Sequence, residues 1–451
     1  MSAATANLGY AQALRALDER GRFGIRLGLG RTRALLEVLG HPERAVRGAL
    51  IAGTNGKGSV LAIAEAALGA AGYRVGATPK PHLVTYRERI QVDGRPIRAV
   101  DFARLVGQVL PAADRIAKRH GEPTEFELLT AVGFAHFAEV RPDVALVEVG
   151  LGGRLDATHA WDGGLAVVTN VELDHMDRLG DTVVAIAREK AAIIERGDRA
   201  VTGATGDALA VIQRRARRLR VPLTVVEPAS LLGWDRDGLD VELPGLGRTR
   251  VGLRGRHQAA NVAIADALLD ALDAAGIARV DSAARRAGYG SAVWPGRLEL
   301  LTVARRDVLL DGAHNPAGAT ALAVALDDLQ PFLTSGPVSL VTASMADKDV
   351  AGVIRALVGA RALAGATVLC TSLDLPRAMP ASELAAHWRA GFAGARIVAE
   401  PNPLAALDRA LAGAAADGPV VVAGSLYLVG AVRGHLVDDP DLRDPDPAED
   451  P

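Results

Sequence analysis

The sequence of 451 residues has one cysteine, Cys370, and no apolar run long enough to cross a bilayer. One cysteine excludes an internal disulfide and a cysteine-rich zinc site, which fits a reducing compartment. The most apolar stretch, residues 418–432, is shorter than the about 18 residues that a membrane span requires. The N-terminal segment also lacks the basic and apolar regions of a secretory signal. We therefore expect a cytoplasmic protein with no membrane partner.

An excess of charge of either sign is missing as well. The chain has 51 basic and 53 acidic side chains, for a net charge of −2. This balance offers no basic surface for nucleic acid. The hydrophobic and charged fractions, 49% and 23%, are ordinary for a folded protein. We expect small polar substrates and no nucleic-acid partner. A monomer is the expected state, although nothing in the sequence determines the oligomeric state.

Lysine is scarce, because arginine supplies nearly all of the positive charge. The five lysines are Lys57, Lys80, Lys118, Lys190 and Lys348. Where a position needs only a cation, arginine serves, so a lysine within a motif is a candidate for chemistry that needs a primary amine. Lys118 lies in a helical pattern and is best explained as an ordinary surface residue. Lys57 and Lys190 are the strongest candidates for a chemical role.

Short apolar runs alternate with Ala/Leu-rich helical stretches from residue 49 onward, which predicts an α/β fold. Several runs are continuously apolar, as strands buried on both faces of a parallel sheet require. The alternation begins again after the turn-like Trp294-Pro295-Gly296. These patterns predict a large first domain, a smaller C-terminal α/β domain and a disordered acidic tail with seven acidic residues and four prolines, at residues 1–297, 298–437 and 438–451.

A glycine-rich loop, Gly53-Thr54-Asn55-Gly56-Lys57-Gly58-Ser59, follows the first predicted strand and opens a helix. Backbone N–H groups of such a loop converge on phosphate oxygens, Lys57 can reach the β- and γ-phosphates, and Ser59 can ligate Mg²⁺. The usual phosphate-binding loop has Ser or Thr directly after the lysine, where this chain has Gly58. A tight turn with an incidental lysine is the alternative, which the scarcity of lysine disfavours. The loop predicts that domain 1–297 binds ATP through residues 54–59.

Further motifs occur in a characteristic order: Pro81-His82-Leu83, the glycine-rich segment 148–157, Leu173-Asp174-His175, Glu189-Lys190-Ala191 and Asp311-Gly312-Ala313-His314-Asn315-Pro316. Together with the loop, they resemble the folylpolyglutamate synthase/dihydrofolate synthase family of the Mur ligase superfamily. The resemblance spans about residues 25 to 430. It implies a P-loop-containing, Mur-ligase-like central domain with a mostly parallel sheet, followed by the smaller α/β domain.

The resemblance also implies an ATP-dependent amide ligase with ATP and Mg²⁺ as cofactors. ATP phosphorylates the carboxylate of a folate or dihydropteroate, and the amine of L-glutamate attacks the acyl phosphate, releasing ADP and phosphate. Such an enzyme has to clamp a polyphosphate, neutralise its charge and align two substrates. No nucleophilic side chain is required.

Glu148 ends an apolar strand, at the sheet edge where ligands bind in such folds, and a carboxylate suits magnesium. An ordinary strand-end acid is the alternative. A lone histidine such as His175 is more often structural than a ligand. The resemblance implies that both residues bind metal, and that Lys190 is carbamylated, which arginine could not be. The implied metal ligands are Ser59, Glu148, His175 and Lys190, and the implied catalytic residues are Lys57, Glu148, His175 and Lys190.

The resemblance assigns further ATP contacts to Asn261, Arg297 and Asp311. The implied acceptor-binding residues are Ile25, Arg26, Leu27, Lys80, His82, Thr124, Phe126, Glu127, Leu155, Asp156 and Ala157. Two positions depart from the family pattern, Arg26 in place of an acid and Lys80 in place of Ser or Thr. Lys80 either supplies a charge within the site or points to solvent at a loop tip.

Two other functions are compatible with the loop. One is a muramyl-type peptide ligase of the same superfamily, although only 52 residues precede Gly53, too few for the separate UDP-sugar domain expected there. The other is a nucleotide-binding regulator without ligase activity. Glutamate-dependent phosphate release distinguishes a ligase from a regulator.

Overall fold

The structure is a computed structural model that describes residues 8–21, 24, 26–412 and 418–446. Two units are present, the first formed by Met1–Ala229, Ala260–Ser291 and Asp441–Pro451, and the second by Ser230–Ala259 and Ala292–Pro440. The boundary predicted at residue 297 therefore differs from this division. Residues 230–259 group with the second unit because they form a small sheet of their own that packs there, whereas the segment 260–291 packs on the first unit as two helices.

A mostly parallel sheet forms the centre of the first unit, as predicted. In the described part of the chain its strand order is β4-β3-β2-β5-β1-β6-β7-β8, and only β3 and β4 run antiparallel to their neighbours. The strands are β1 (Gly48–Ala52), β2 (Val75–Thr78), β3 (Gln91–Val92), β4 (Arg95–Pro96), β5 (Val144–Glu148), β6 (Gly164–Val168), β7 (Arg199–Thr202) and β8 (Leu223–Val225).

Helices cover both faces of this sheet, as the continuous apolar strands require. They are α1 (Tyr10–Gly21), α2 (Gly30–Val38), α3 (Lys57–Ala70), α4 (Ala99–His120), α5 (Glu125–Val140), α6 (Met176–Leu179), α7 (Val183–Ala191), α8 (Gly206–Leu219), α9 (Gln258–Ala274) and α10 (Ser282–Ser291). Every residue of β1 and β5 is buried. No helix among the described residues is both long and apolar enough to cross a membrane.

The register of the central strands determines where the phosphate-loop segment begins. Ile51 pairs with Glu148 of β5, and Ala52 pairs with Val168 of β6. The loop from Gly53 therefore leaves β1 between the carboxyl ends of two parallel strands, the position at which α/β sheets bind ligands. Glu148 and the residues after β6 lie at the same edge.

The second unit contains two sheets. One is the antiparallel sheet β11-β10-β9, and the other has the order β12-β13-β17-β14-β15-β16, parallel except for β12. The strands of the second unit are β9 (Ser230–Asp235), β10 (Gly238–Leu243), β11 (Gly247–Val251), β12 (Glu299–Val303), β13 (Arg306–Leu310), β14 (Ser339–Thr342), β15 (Thr367–Cys370), β16 (Arg396–Ala399) and β17 (Val420–Ala423). Its helices are α11 (Pro316–Leu329), α12 (Val350–Val358), α13 (Ala381–Gly391), α14 (Pro403–Ala412) and α15 (Leu426–Leu436).

The acidic tail is not disordered throughout, contrary to the prediction. A 3-10 turn spans Pro440–Leu442, and Asp444 accepts hydrogen bonds from Thr85 and Arg87 of the first unit. The prediction considered only apolar packing, which this segment lacks, whereas the observed contact is an ion pair with a buried arginine. Residues 447–451 of the predicted tail lie outside the described residues.

Candidate active site

The phosphate loop approaches its neighbours so closely that two of its glycines have no room for a side chain. A β-carbon on Gly53 would collide with the hydroxyl of Thr169, and one on Gly56 would collide with the side-chain oxygen of Asn261. Gly56 also has φ 80°, the left-handed region that favours glycine. The structure therefore places Asn261, a predicted ATP contact, directly against the loop.

The segment after β6 holds the loop through side chains that the sequence analysis missed. Thr169 donates its hydroxyl hydrogen to the Asn55 carbonyl at 2.6 Å, and the Asn170 side chain accepts the Asn55 N–H at 2.8 Å. Glu172 accepts from the Asn55 amide at 3.0 Å, and its N–H donates to the Thr54 hydroxyl at 3.0 Å. These contacts link residues more than 100 positions apart, so no local sequence pattern predicts them.

Lys57 and Lys190 meet at one carbonyl oxygen. The Lys57 ammonium donates to the Gly53 and Thr54 carbonyls at 3.0 and 3.1 Å, and the Lys190 ammonium donates to the same Gly53 oxygen at 2.9 Å. Lys190 is only 4% exposed, on the last turn of α7. Burial, together with the nearby Lys57 charge, lowers the pKa of Lys190 to about 7. Lys57 therefore provides the positive charge at this loop, whereas part of the Lys190 amine is neutral near pH 7.

Glu148 lies at the end of β5 and is buried. Its carboxylate accepts the backbone N–H of Lys80 at 2.9 Å, and its carbonyl accepts a hydrogen bond from the Lys80 ammonium. The same ammonium is 5.3 Å from the centre of the Phe126 ring. Lys80 therefore points into the site, and the alternative of a solvent-facing loop tip is wrong. Burial, opposed by the charges of Asp156 and Glu148, lowers the pKa of Lys80 to about 8.

His175 and Ser59 complete the predicted metal ligands. His175 precedes the short helix α6 with φ 47°, and its side chain is half exposed. Ser59 is buried in the first turn of α3. Within the described residues, no three His, Cys, Asp or Glu side chains form a group that could hold a metal ion. The predicted set contains only two such side chains, Glu148 and His175, alongside a hydroxyl and a lysine.

Glu127 is an organiser of the predicted acceptor region. Its carboxylate accepts the Thr124 N–H at 2.8 Å in the capping box that begins α5, and it accepts Arg31 Nε at 2.9 and 3.0 Å. Arg31 also donates to the Arg26 carbonyl at 2.7 Å. The sequence analysis missed Arg31, which joins the Arg26 segment to α5. Glu127 is 2% exposed, and the hydrogen bonds described for its carboxylate are all with protein groups.

The loop after β5 is ordered by Asp156. Its carboxylate accepts from the N–H and hydroxyl of Thr158, and from the Leu151 N–H at 2.8 Å. The Leu155 carbonyl accepts the Gly28 N–H at 3.1 Å, which brings the segment next to Leu27. Ala157, directly after Asp156, is buried at the start of a 3-10 turn. Ile25, another predicted acceptor contact, lies outside the described residues.

A small, partly open pocket lies beside these residues. Phe126, Lys80 and Arg89 line it together with apolar side chains of α5. Arg89 donates to His82 Nδ1 at 2.8 Å, and the His82 and Tyr86 rings lie 4.3 Å apart. Burial and the Arg89 charge lower the pKa of His82 to about 3, so its imidazole is neutral at physiological pH. An apolar ring between two cations suits an acceptor that is flat and carries negative charge.

Two predicted ATP contacts belong to the second unit. Asp311 follows β13 and accepts the N–H groups of Leu298 and Ala313 at 3.0 and 2.9 Å. The Arg297 guanidinium packs so closely on Gly312 that a side chain there would collide with it. Asn315 caps α11 by accepting the Gly318 N–H at 2.7 Å. The structure thus brings Arg297 and Asp311 to neighbouring loops.

Comparison with known proteins identifies two domains of one superfamily in the chain. Residues 51–269 match the Mur ligase middle domain, and residues 296–426 match the Mur ligase glutamate ligase domain. The dihydrofolate synthase/folylpolyglutamate synthase of Bacillus subtilis is 34% identical over 437 residues, covering 95% of this chain and 99% of its own.

Solved structures agree with the sequence match. The Escherichia coli enzyme in complex with DHPP and ADP superposes with a TM-score of 0.81 at 30% identity, covering 96% of this chain and 99% of that one. The bifunctional Yersinia pestis enzyme with AMPPNP and a manganese ion gives a TM-score of 0.79 at 30% identity, with 96% and 100% coverage. The main functional prediction is thereby favoured over the muramyl-type ligase and the regulator. From its loop, its two units and these full-length relatives, the chain belongs to the dihydrofolate synthase/folylpolyglutamate synthase family of Mur ligases.

Proposed function

We propose that this protein is an ATP-dependent ligase that joins L-glutamate to the carboxylate of a folate or dihydropteroate. The observation that carries the proposal is the convergence of Lys57 and Lys190 on the Gly53 carbonyl of the phosphate loop. Lys57 supplies a positive charge for the β- and γ-phosphates of ATP, and Lys190, whose pKa of about 7 leaves part of the amine neutral, can capture CO₂ as a carbamate. The ADP and DHPP named for the E. coli relative support both substrates.

In the first step, an oxygen of the acceptor carboxylate attacks the γ-phosphorus of ATP. A new O–P bond forms, the bond from phosphorus to the β,γ-bridging oxygen breaks, and ADP leaves. Lys57 exchanges its hydrogen bonds to the carbonyls of its own loop for contacts with the phosphates. There its charge stabilises the negative charge on the phosphoryl group in the transition state. The N–H groups of the loop and the start of α3 add partial positive charge at the same place.

In the second step, the amine of glutamate attacks the acyl carbon and a C–N bond forms. The bond from the acyl carbon to the phosphate oxygen breaks, phosphate leaves with the electron pair, and the proton of the amine passes to the departing phosphate or to water. No covalent bond to the protein is needed, so the protein contributes by positioning both substrates and excluding water. Asp156 and Glu127 fulfil this task indirectly, because their carboxylates fix the loops on which the acceptor rests.

Ser59, Glu148, His175 and a carbamylated Lys190 are the residues that would hold Mg²⁺. The donors fit, since a hydroxyl, a carboxylate and a carbamate are hard oxygen ligands. An unmodified Lys190 would not fit, because its ammonium donates a hydrogen bond and cannot ligate a cation. Bound Mg²⁺ would neutralise phosphate charge.

We further propose that Arg297 and Asp311 contact ATP, and that Arg26, Leu27, Lys80, His82, Thr124, Phe126, Leu155 and Ala157 surround the acceptor. The pocket beside Phe126 supports the second group. Action in the cytoplasm as a monomer remains a prediction.

The direct test is phosphate release from ATP with glutamate and one of three acceptors: dihydropteroate, tetrahydrofolate or a UDP-muramyl peptide. We expect glutamate-dependent release with one or both pterins and none with the muramyl acceptor. Release that ignores glutamate, or that occurs only with the muramyl acceptor, would contradict the proposal.

Replacing Lys190 by arginine tests the carbamate. Lys190→Arg keeps the positive charge but cannot capture CO₂, so we expect turnover to fall by roughly 100-fold or more. The measurement is steady-state turnover at saturating Mg²⁺, with the unfolding temperature as a check on folding. Lys118→Arg, on the exposed face of α4, is the matched control and should change nothing. A folded Lys190→Arg enzyme with normal turnover would rule out the carbamate.

Lys80 offers a test of metal dependence. Its ammonium lies at the Glu148 carbonyl, where a serine would leave an oxygen and remove a competing charge. We expect Lys80→Ser to reach half-maximal rate at a lower Mg²⁺ concentration than the wild type, and Lys80→Ala to have a lower maximal rate. Titrating the rate against Mg²⁺ measures both effects, with Lys118→Ala as control. Curves identical to the wild type for both Lys80 variants would show that Lys80 has no part in the site.

A further inference from the structure

The 3-10 turn Tyr86–Arg89 supports the loop that carries His82. Glu88 stabilises this loop, because its carboxylate accepts hydrogen bonds from the N–H groups of Leu83, Val84 and Thr85 at 3.1, 2.7 and 2.7 Å. At the end of the turn, Arg89 donates a hydrogen bond to the His82 ring. The position of His82 and Arg89, at the pocket beside Phe126, therefore depends on how the turn is anchored.

Arg87 anchors the turn to the rest of the first unit, and its side chain is only 6% exposed. It donates to the Ile97 carbonyl at 3.3 Å, to the Arg443 carbonyl at 2.8 Å and to the Asp444 carboxylate at 3.1 Å. The guanidinium also lies 6.0 Å from the centre of the Tyr10 ring. A buried guanidinium is strongly destabilising without a counter-charge, so the carboxylate at Asp444 matters more to Arg87 than an exposed ion pair would.

The same carboxylate oxygen also holds Thr85, the cap of the turn. The Thr85 hydroxyl donates to Asp444 at 2.6 Å and accepts the Arg87 N–H at 3.3 Å. Tyr10 shares this hydroxyl at 3.1 Å. Asp444 thus holds both the cap of the turn, Thr85, and the second residue of the turn, Arg87. The Asp444 side chain is 37% exposed, so the carboxylate keeps much of its hydration and loses little solvation free energy in this position.

We propose that Asp444 is a positioning residue for the acceptor-binding loop 80–90. By neutralising Arg87 and orienting Thr85, it holds the turn so that His82 and Arg89 face the acceptor. The segment 441–446 is therefore part of the acceptor site's support and not a passive tail. The identity of the acceptor rests on the proposed function, whereas the support of the loop does not.

The test compares full-length wild type, Asp444→Asn and Asp444→Ala in two measurements. The first is hydrogen exchange of the backbone amides of residues 82–90. The second is a steady-state comparison of KM for the pterin acceptor, KM for ATP and kcat. Asp408→Asn, an exposed acid on α14, is the control.

We expect faster exchange in the loop and a KM for the acceptor raised by roughly tenfold in Asp444→Ala, with KM for ATP and kcat nearly unchanged. Asp444→Asn should be intermediate, because its amide oxygen still accepts from Thr85 but carries no charge for Arg87. A general loss of folding would instead lower kcat and leave both KM values unchanged.

Unchanged loop exchange in Asp444→Ala would overturn the proposal, as would faster exchange with an unchanged KM for the acceptor. If the wild type uses no pterin acceptor at all, the proposed function fails, and the exchange experiment alone then decides whether Asp444 supports the loop. Faster exchange would support it, and unchanged exchange would refute it.

Discussion

Two ammonium groups bound to one carbonyl oxygen are the constraint on which this site depends. Lys57 and Lys190 repel one another, yet the Gly53 carbonyl holds both. Backbone geometry makes this convergence possible, since Gly53 lies between the ends of β5 and β6 and has no room for a side chain. The proximity of Lys57 and the burial of Lys190 lower the pKa of Lys190 to about 7, so the two amines can take different roles at one loop. Lys57 keeps the charge that suits phosphate, and Lys190 has the partly neutral amine that a carbamate requires.

The acceptor side uses charge differently, because its cations are held in place by protein groups. Lys80 binds the carbonyl of Glu148, Arg89 binds His82, and Arg31 binds Glu127. These hydrogen bonds restrict each side chain to one direction, and a side chain that is already ordered loses less entropy when a ligand binds. At position 80, the Glu148 carbonyl and the Thr78 hydroxyl supply partners for the buried ammonium.

The α/β fold, the phosphate loop and the order of the motifs were predictable, because strand burial and glycine spacing are local properties of the sequence. Asn261 lies against the loop, and its contact with ATP stays a prediction. Arg31, Asn170 and Asp444 were missed, because each acts through a partner about 100 or more positions away, except for the Arg26 contact of Arg31. The tail in particular has a composition typical of disorder, and its ordered part depends on the contacts of Asp444 with Arg87 and Thr85. The predicted metal ligands await a direct test.

Nucleotide binding by Lys57→Met measures the central claim most directly. The affinity of the wild type and the variant for AMPPNP and for adenosine would be determined by calorimetry, with Lys118→Met as control. If Lys57 turns to the phosphates, the variant should bind AMPPNP roughly 10- to 100-fold more weakly, since it loses a charge-assisted contact, and should bind adenosine with unchanged affinity. Equal affinity of both proteins for AMPPNP would contradict the account.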